Sequence, residues 1–153
     1  DAIKSFVGLP HRYEIFLKKK NIVFINDSKA TSFESTKYAL SNSKNVYWIL
    51  GGVPKKNDKI LLSGVKKNII KCYLVGKHIK FFQKQIQNKV GFSITKNLKR
   101  TLIKIITDIK LSSVKDCTIL LSPAAASYDQ FRNFEKRGDE FKKLSKLYAR
   151  KFI

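Results

Sequence analysis

Ile22-Val23-Phe24-Ile25-Asn26-Asp27-Ser28-Lys29-Ala30-Thr31 is the stretch on which the fold turns. Its first four residues are an apolar run with strand character. An acid, a hydroxyl, an amine and a second hydroxyl follow between Asp27 and Thr31. A helix-like pattern then takes over across 33–40. A strand end that releases polar residues into a helix start is where open α/β sheets bind ligands.

Outward from this stretch, strand and helix patterns alternate. Residues 11–17 alternate in character, with Tyr13, Ile15 and Leu17 expected on one face, and the polar turn 18–21 joins them to 22–25 as a hairpin. Thr31 with Glu34 offers a capping box for the first helix. Strands are expected over 45–50, 69–75, 90–93 and 117–121, and helices over 60–67, 79–87 and 98–109. The 98–109 helix carries the apolar stripe Leu98, Leu102, Ile105, Ile106 and Ile109. Phe141, Leu144 and Tyr148 mark a final helix. This alternation predicts an α/β, Rossmann-like fold: a mostly parallel sheet with helices on both faces and an antiparallel edge hairpin.

Composition narrows the function classes. A chain of 153 residues with 43% hydrophobic content suits one domain with one core. No apolar run nears the roughly 18 residues that cross a bilayer, and no signal peptide is evident. Cys72 and Cys117 each lie in an apolar run, which reads as two buried free thiols, with a disulfide or metal pair as the lesser alternative. These features predict a cytoplasmic chain without membrane contact; the protein is also expected to be a monomer. The net charge of +21 suggests polyanions, but only five of the 32 basic residues are arginine and the lysines are dispersed. Specific base or phosphate recognition favours arginine, so no specific nucleic-acid partner is expected, and a basic nucleic-acid-binding α/β module remains the alternative outside enzymes. The chain contains no methionine. Residues 1–7 are expected to be the tail of an interdomain linker, and 8–153 the domain itself.

Three polar clusters fall just after predicted strand ends: 27–31, then Gly51-Gly52-Val53-Pro54-Lys55-Lys56, then Ser122-Pro123 through Ser127. In a parallel sheet these ends share one edge. The first offers a lysine, a hydroxyl and free helix N–H groups to an anion, although for this cluster taken alone a helix cap with a solvated lysine is the commoner explanation. Gly51-Gly52 allows close backbone approach but lacks the spacing and the Gly-Lys-Ser/Thr ending of a nucleotide P-loop. Ser127 with Gln130 makes a second capping-box pattern, and the N–H groups of Tyr128 and Asp129 suit a carboxylate. Phe131 and Phe134 read as core from residue type alone. His78 reads as surface. His11, beside Arg12, stands out, but no catalytic or metal-ligand spacing involves either histidine.

Taken in order, Gly8-Leu9-Pro10-His11-Arg12, Asn26-Asp27-Ser28-Lys29-Ala30-Thr31, Leu50-Gly51-Gly52 with Lys55, and Leu121-Ser122-Pro123-Ala124 with Ser127, Asp129-Gln130-Phe131, Asn133-Phe134-Glu135, Arg137-Gly138 and Glu140-Phe141 resemble the C-terminal domain of the Mur ligase family, in its D-glutamate-adding branch. The resemblance spans almost the whole chain. It implies the third domain of an ATP-dependent acid–D-amino-acid ligase of peptidoglycan synthesis, whose N-terminal and central domains hold UDP-N-acetylmuramoyl-L-alanine and ATP with Mg2+. The family's reaction runs through an acyl phosphate, which the amine of D-glutamate attacks. By motif, Arg12 and Asp27 would touch the nucleotide, and Ser28 and Lys29 would be catalytic, beside the phosphates. Thr31 and Lys55 would bind the α-carboxylate of D-glutamate, with Lys56 as the alternative lysine. Ser127, the N–H of Tyr128, and Phe134 would surround the γ-carboxylate, and His11 is a further candidate. Ser32, Val53-Pro54, Ala125 and Tyr128 depart from the family's usual residues. A ligase of the same superfamily for another amino acid is the rival reading among enzymes.

Overall fold

The computed structural model describes residues 8–153. The linker expected at 1–7 lies outside the described residues. One sheet of six strands runs in the order β1-β2-β6-β3-β4-β5. The strands are β1 Glu14–Lys19, β2 Ile22–Asn26, β3 Val46–Leu50, β4 Ile69–Val75, β5 Phe92–Lys96 and β6 Cys117–Leu121. Only β1 and β2 pair antiparallel, and every other pairing is parallel. The helices are α1 Phe33–Ser41, α2 Ile79–Ile86, α3 Leu98–Leu111 and α4 Phe134–Phe152.

Successive strand residues face opposite sides of the sheet, and this divides the core in two. Phe24, Tyr47, Ile49, Tyr73, Ile119 and Leu121 pack with α3 and α4. Ile25, Trp48, Leu50, Leu74 and Leu120 pack on the other face with Phe33 and Leu40 of α1 and Phe82 and Ile86 of α2. The inner strands β3 and β6 are buried at every residue, as expected of a parallel sheet covered on both faces. The architecture is therefore the α/β, Rossmann-like one read from the sequence. Cys72 and Cys117 are both free and buried. Burial pushes the Cys117 thiol up to about 11 and moves Cys72 the same way.

Local expectations needed correction at several points. Residues 60–67 form no α-helix: Gly64 takes φ +82°, and only the 3-10 turn Lys66–Asn68 follows. Ile60, Leu62 and Val65 are buried as the wall of one core face, so their apolar spacing records burial of a loop. Strand β5 starts two residues later than expected, at Phe92. Helix α4 starts at Phe134, where the side chain of Asn133 accepts from Lys136 N–H. In the hairpin, a register shift between Ile15 and Leu17 breaks the alternation. Leu17 and Phe16 pack on the α4 side, Tyr13 packs on the other, and Ile15 is exposed. Both capping boxes are absent: α1 is capped by Ser32, whose Oγ accepts from Ser35 N–H, and Gln130 N–H bonds the carbonyl of Ser127 in a turn.

Gly51 shows how tightly the edge is built. It sits at φ +131°, and a Cβ there would fall 2.0 Å from the carbonyl oxygen of Val75. Gly51→Ala is expected to lose about 1–3 kcal/mol or more from backbone strain and this clash. Urea unfolding measures the loss, and a midpoint equal to that of the parent would contradict the geometry.

Candidate ligand-binding site at the strand ends

The three polar clusters leave β2, β6 and β3, three neighbouring strands. Backbone bonds tie them together. Asp27 N–H donates to Leu121 O at 2.7 Å, Ser122 N–H to Ile49 O at 3.2 Å and Gly51 N–H to Pro123 O at 2.9 Å. Val53 and Ala126 form an isolated antiparallel bridge. A Cβ on Gly52 would lie 2.2 Å from Ala126 O. What Gly51 and Gly52 admit closely is thus the chain's own backbone.

Asp27 is nearly buried. Its Oδ1 accepts from Tyr13 N–H at 2.9 Å and its Oδ2 from Ser122 Oγ at 2.7 Å. Burial pushes its pKa up, against the pull of these two bonds and the charge of Arg12. Arg12, Tyr13, Asp27, Lys29 and Tyr38 line an open cleft of about 580 Å3. Lys29 is exposed, with its main-chain N–H on His11 O at 3.0 Å and its Nζ 5.9 Å from the ring centre of Phe134. Thr31 is half-buried. Two N–H groups at the helix start behind it are already engaged: Asp58 Oδ2 accepts from Phe33 N–H at 2.9 Å and Ser32 Oγ from Ser35 N–H at 3.4 Å.

Two candidates prove committed to the scaffold. Ser28 is fully buried: its Oγ donates to Phe134 O at 2.7 Å and accepts from Arg137 Nε at 2.9 Å, so its hydroxyl does not face a ligand. His11 is buried as well, at φ +64°, with Nδ1 2.9 Å from Asn26 Nδ2 and Nε2 3.7 Å from Asp139. The amide of Asn26 is oriented by its other bonds, since Oδ1 accepts from Ser28 N–H and Nδ2 donates to Glu14. Nδ1 of His11 is therefore the acceptor, and the imidazole acts as a fixed support. Burial pushes Glu14 up, but bonds from His11 N–H, Lys142 and Asn26 together hold it below the usual carboxylate range. Gly138 makes room for this packing, because a Cβ there would stand 2.1 Å from His11 Nδ1.

The amino-acid candidates lie on the second and third loops. Lys55 and Lys56 are both exposed, and neither has an ion pair among the described residues. Asp58 N–H bonds Lys55 O at 3.0 Å while its carboxylate caps α1, so one residue anchors the lysine loop to the first cluster. Ser127 is buried and its Oγ has no partner among the described residues. Tyr128 is 74% exposed. Phe134 is half-buried, packed edge-on against His11, and belongs to neither face of the core. Arg12, Asp27, Lys29 and Phe134 are thus brought into one neighbourhood. Thr31 and Lys55 bond to none of the other candidates.

Asn26, Ser122 and Arg137 stand within the quoted motifs, and Asp58 in the loop after Lys55, but residue type alone assigned them no role. Each acts through a partner distant in sequence: Asn26 through His11, Asp58 through Phe33, Ser122 through Asp27 and Arg137 through Ser28.

The sheet and its polar loop edge define a Rossmann-like α/β domain with its candidate site at the strand ends. Comparison with known proteins narrows this. The chain is 40% identical over 142 residues, 93% of its length, to the UDP-N-acetylmuramoylalanine–D-glutamate ligase of Nitrobacter hamburgensis. It is 44% identical over 141 residues, 92% of its length, to that of Wolbachia sp. subsp. Brugia malayi, and 39% over 144 residues, 94% of its length, to that of Bradyrhizobium diazoefficiens. It spans 30%, 28% and 31% of those three proteins respectively. No protein-family model matches the chain. The chain belongs to the UDP-N-acetylmuramoylalanine–D-glutamate ligase family, of which it matches one part.

The state of Asp27 has a measurable consequence. Its pKa in the fold lies above the unfolded value of 3.8. Between the two values the folded chain binds more protons, so stability falls as pH rises through the folded value. Asp27→Asn lacks this slope. The variant's unfolding free energy is therefore expected to gain on the parent's as pH rises from below 3.8, in urea titrations across the acid range. A constant difference would contradict the burial assigned to this carboxyl.

Proposed function

We propose that residues 8–153 are the C-terminal, amino-acid-binding domain of an ATP-dependent ligase that joins D-glutamate to UDP-N-acetylmuramoyl-L-alanine in peptidoglycan synthesis. The enzyme would be cytoplasmic and monomeric, with its N-terminal and central domains supplying the UDP-sugar and ATP sites. One observation carries this reading: relatives named for that reaction match 92–94% of the chain at 39–44% identity. Among the described residues no helix is long and apolar enough to cross a membrane.

In the proposed reaction the substrate carboxylate is activated as an acyl phosphate. The amine of D-glutamate attacks its carbonyl carbon, the C–O bond to phosphate breaks, and an amide, ADP and phosphate result. Mg2+ would be held together with ATP, mainly by the central domain, and no step here is assigned to it. The domain would contribute positioning and charge, which can account for much of such catalysis.

The residue roles follow the same reading. Lys29, exposed beside the cleft, would be the catalytic cation at the phosphates. Arg12 and the outward lone pairs of Asp27 would meet the nucleotide. Lys55 and Thr31 would hold the α-carboxylate of D-glutamate. Ser127 Oγ has no protein partner, which suits a hydroxyl that donates to the γ-carboxylate, alongside the N–H of Tyr128 and the ring of Phe134. A buried hydroxyl left without a partner costs about 1–3 kcal/mol, and a bound carboxylate would remove that cost.

Two outcomes test the reading. In the complete ligase, Lys29→Ala is expected to lower kcat by about 100-fold or more. Lys55→Ala is expected to raise the KM for D-glutamate about tenfold with a smaller change in kcat, as for loss of uniform binding, while Lys56→Ala stays near the parent. A preference for another amino acid in competition assays would refute the D-glutamate assignment. The isolated domain, given ATP, UDP-N-acetylmuramoyl-L-alanine and D-glutamate, is expected to release no ADP. Turnover at a rate near that of the complete enzyme would place the active site within these residues alone.

A further inference from the structure

Arg137 sits in the first turn of α4, 3% exposed. Its guanidinium grips one residue twice: Nε donates to Ser28 Oγ at 2.9 Å and Nη2 to Ser28 O at 2.7 Å. The Ser28 hydroxyl in turn donates to Phe134 O at 2.7 Å. Ser28 N–H is taken by Asn26 Oδ1 at 3.2 Å. Every polar atom of Ser28 is thus engaged, and all but one bond leads to α4. The loop that carries Asp27 and Lys29 is tied through this residue to the helix that carries Phe134.

We propose that Arg137 is a positioning residue, which through Ser28 and the Phe134 carbonyl holds Lys29 in register with the amino-acid side of the site. The inference rests on the ligase reading for what Lys29 does, but not for what holds it. Ser28 and Lys29 are adjacent, so a shift of Ser28 carries the Lys29 backbone with it. Lysine at position 137 would not reproduce the clasp. Its ammonium is a single point, whereas the two acceptors on Ser28 are met by two nitrogens of one planar fork. Burial pulls the Arg137 pKa down to about 10, with Asp129 opposing, so the group stays cationic near neutral pH. Gly138 belongs to the same assembly, since only a residue without Cβ lets the next position of α4 pack against His11 and Asn26.

The test has two arms, each run on the complete ligase with Arg137→Lys, Arg137→Met, Ser28→Ala and the Ser28→Ala/Arg137→Met double variant. The first arm is amide hydrogen exchange. Lys29 and Ala30 donate to His11 O and Asp27 O, and in the variants these amides are expected to exchange about tenfold faster or more, while Trp48 and Ile49 of β3 are unchanged, as for a local opening. The second arm is kinetics. Arg137→Met is expected to lower kcat about 100-fold, the scale of a misplacement near 1 Å, with the KM values for ATP and D-glutamate within about threefold, because the binding groups remain. Arg137→Lys should recover only part of the loss. The double variant should be no slower than Arg137→Met, since both substitutions cut one link.

Equal acceleration of the β3 amides would mark a merely structural role and overturn the proposal. Unchanged exchange at Lys29, or additive losses in the double variant, would overturn it too. If Arg137→Met does not fold, Arg137→Lys with Ser28→Ala carries the same comparison. A parent that adds no D-glutamate would defeat the ligase reading, and the exchange arm would still decide whether Arg137 holds the loop.

Discussion

Strand β6 pairs with β2 on one side and β3 on the other, although it is the last strand in the chain. The whole ligand edge depends on those two ladders. They carry Leu121 beside Asn26 and Ile49, so the loops that follow start level with one another. Ser122 then serves all three: its Oγ meets Asp27 and Thr36, and its carbonyl accepts from Trp48 Nε1 at 2.8 Å. Parallel strands need a long crossover connection, and here the last strand in the chain completes the edge.

Burial governs the chemistry of this edge. A polar group removed from water must find a partner or lose free energy. Asn26, Ser28 and His11 satisfy one another and the first turns of α4 in a connected network, which leaves them little freedom to serve a ligand. Lys29, Lys55 and Lys56 stay in solvent and keep theirs. The unpartnered Ser127 Oγ falls between these groups, buried as the scaffold is but open in its bonding. Residues that hold the edge and residues left free for a ligand are thus separated by solvation, although in sequence they alternate.

Much of this was legible in the chain itself. Apolar runs of β length ending in Gly or polar clusters gave the strands, and period-3.6 stripes gave α2, α3 and the body of α4. Three clusters after strand ends predicted one loop edge, and the motif order pointed to the family that the comparisons bear out. The errors have local causes. Residues 60–67 bury three apolar side chains from a loop, which mimics a helix stripe. The hairpin bulge between Ile15 and Leu17 has no sequence signature, because it answers to packing against Phe24 and Phe141.

The sequence alone determined the class of fold, the strand ends and the identity of the polar clusters, because these depend on spacing along the chain. Only the tertiary structure decided which members of each cluster remain free. Ser28 and Lys29 are neighbours with equal claims as residue types. Ser28 meets Arg137, 109 positions away, and Lys29 meets water. Burial and pairing across such separations are set by how the sheet and α4 pack together, and nothing in the local sequence encodes them.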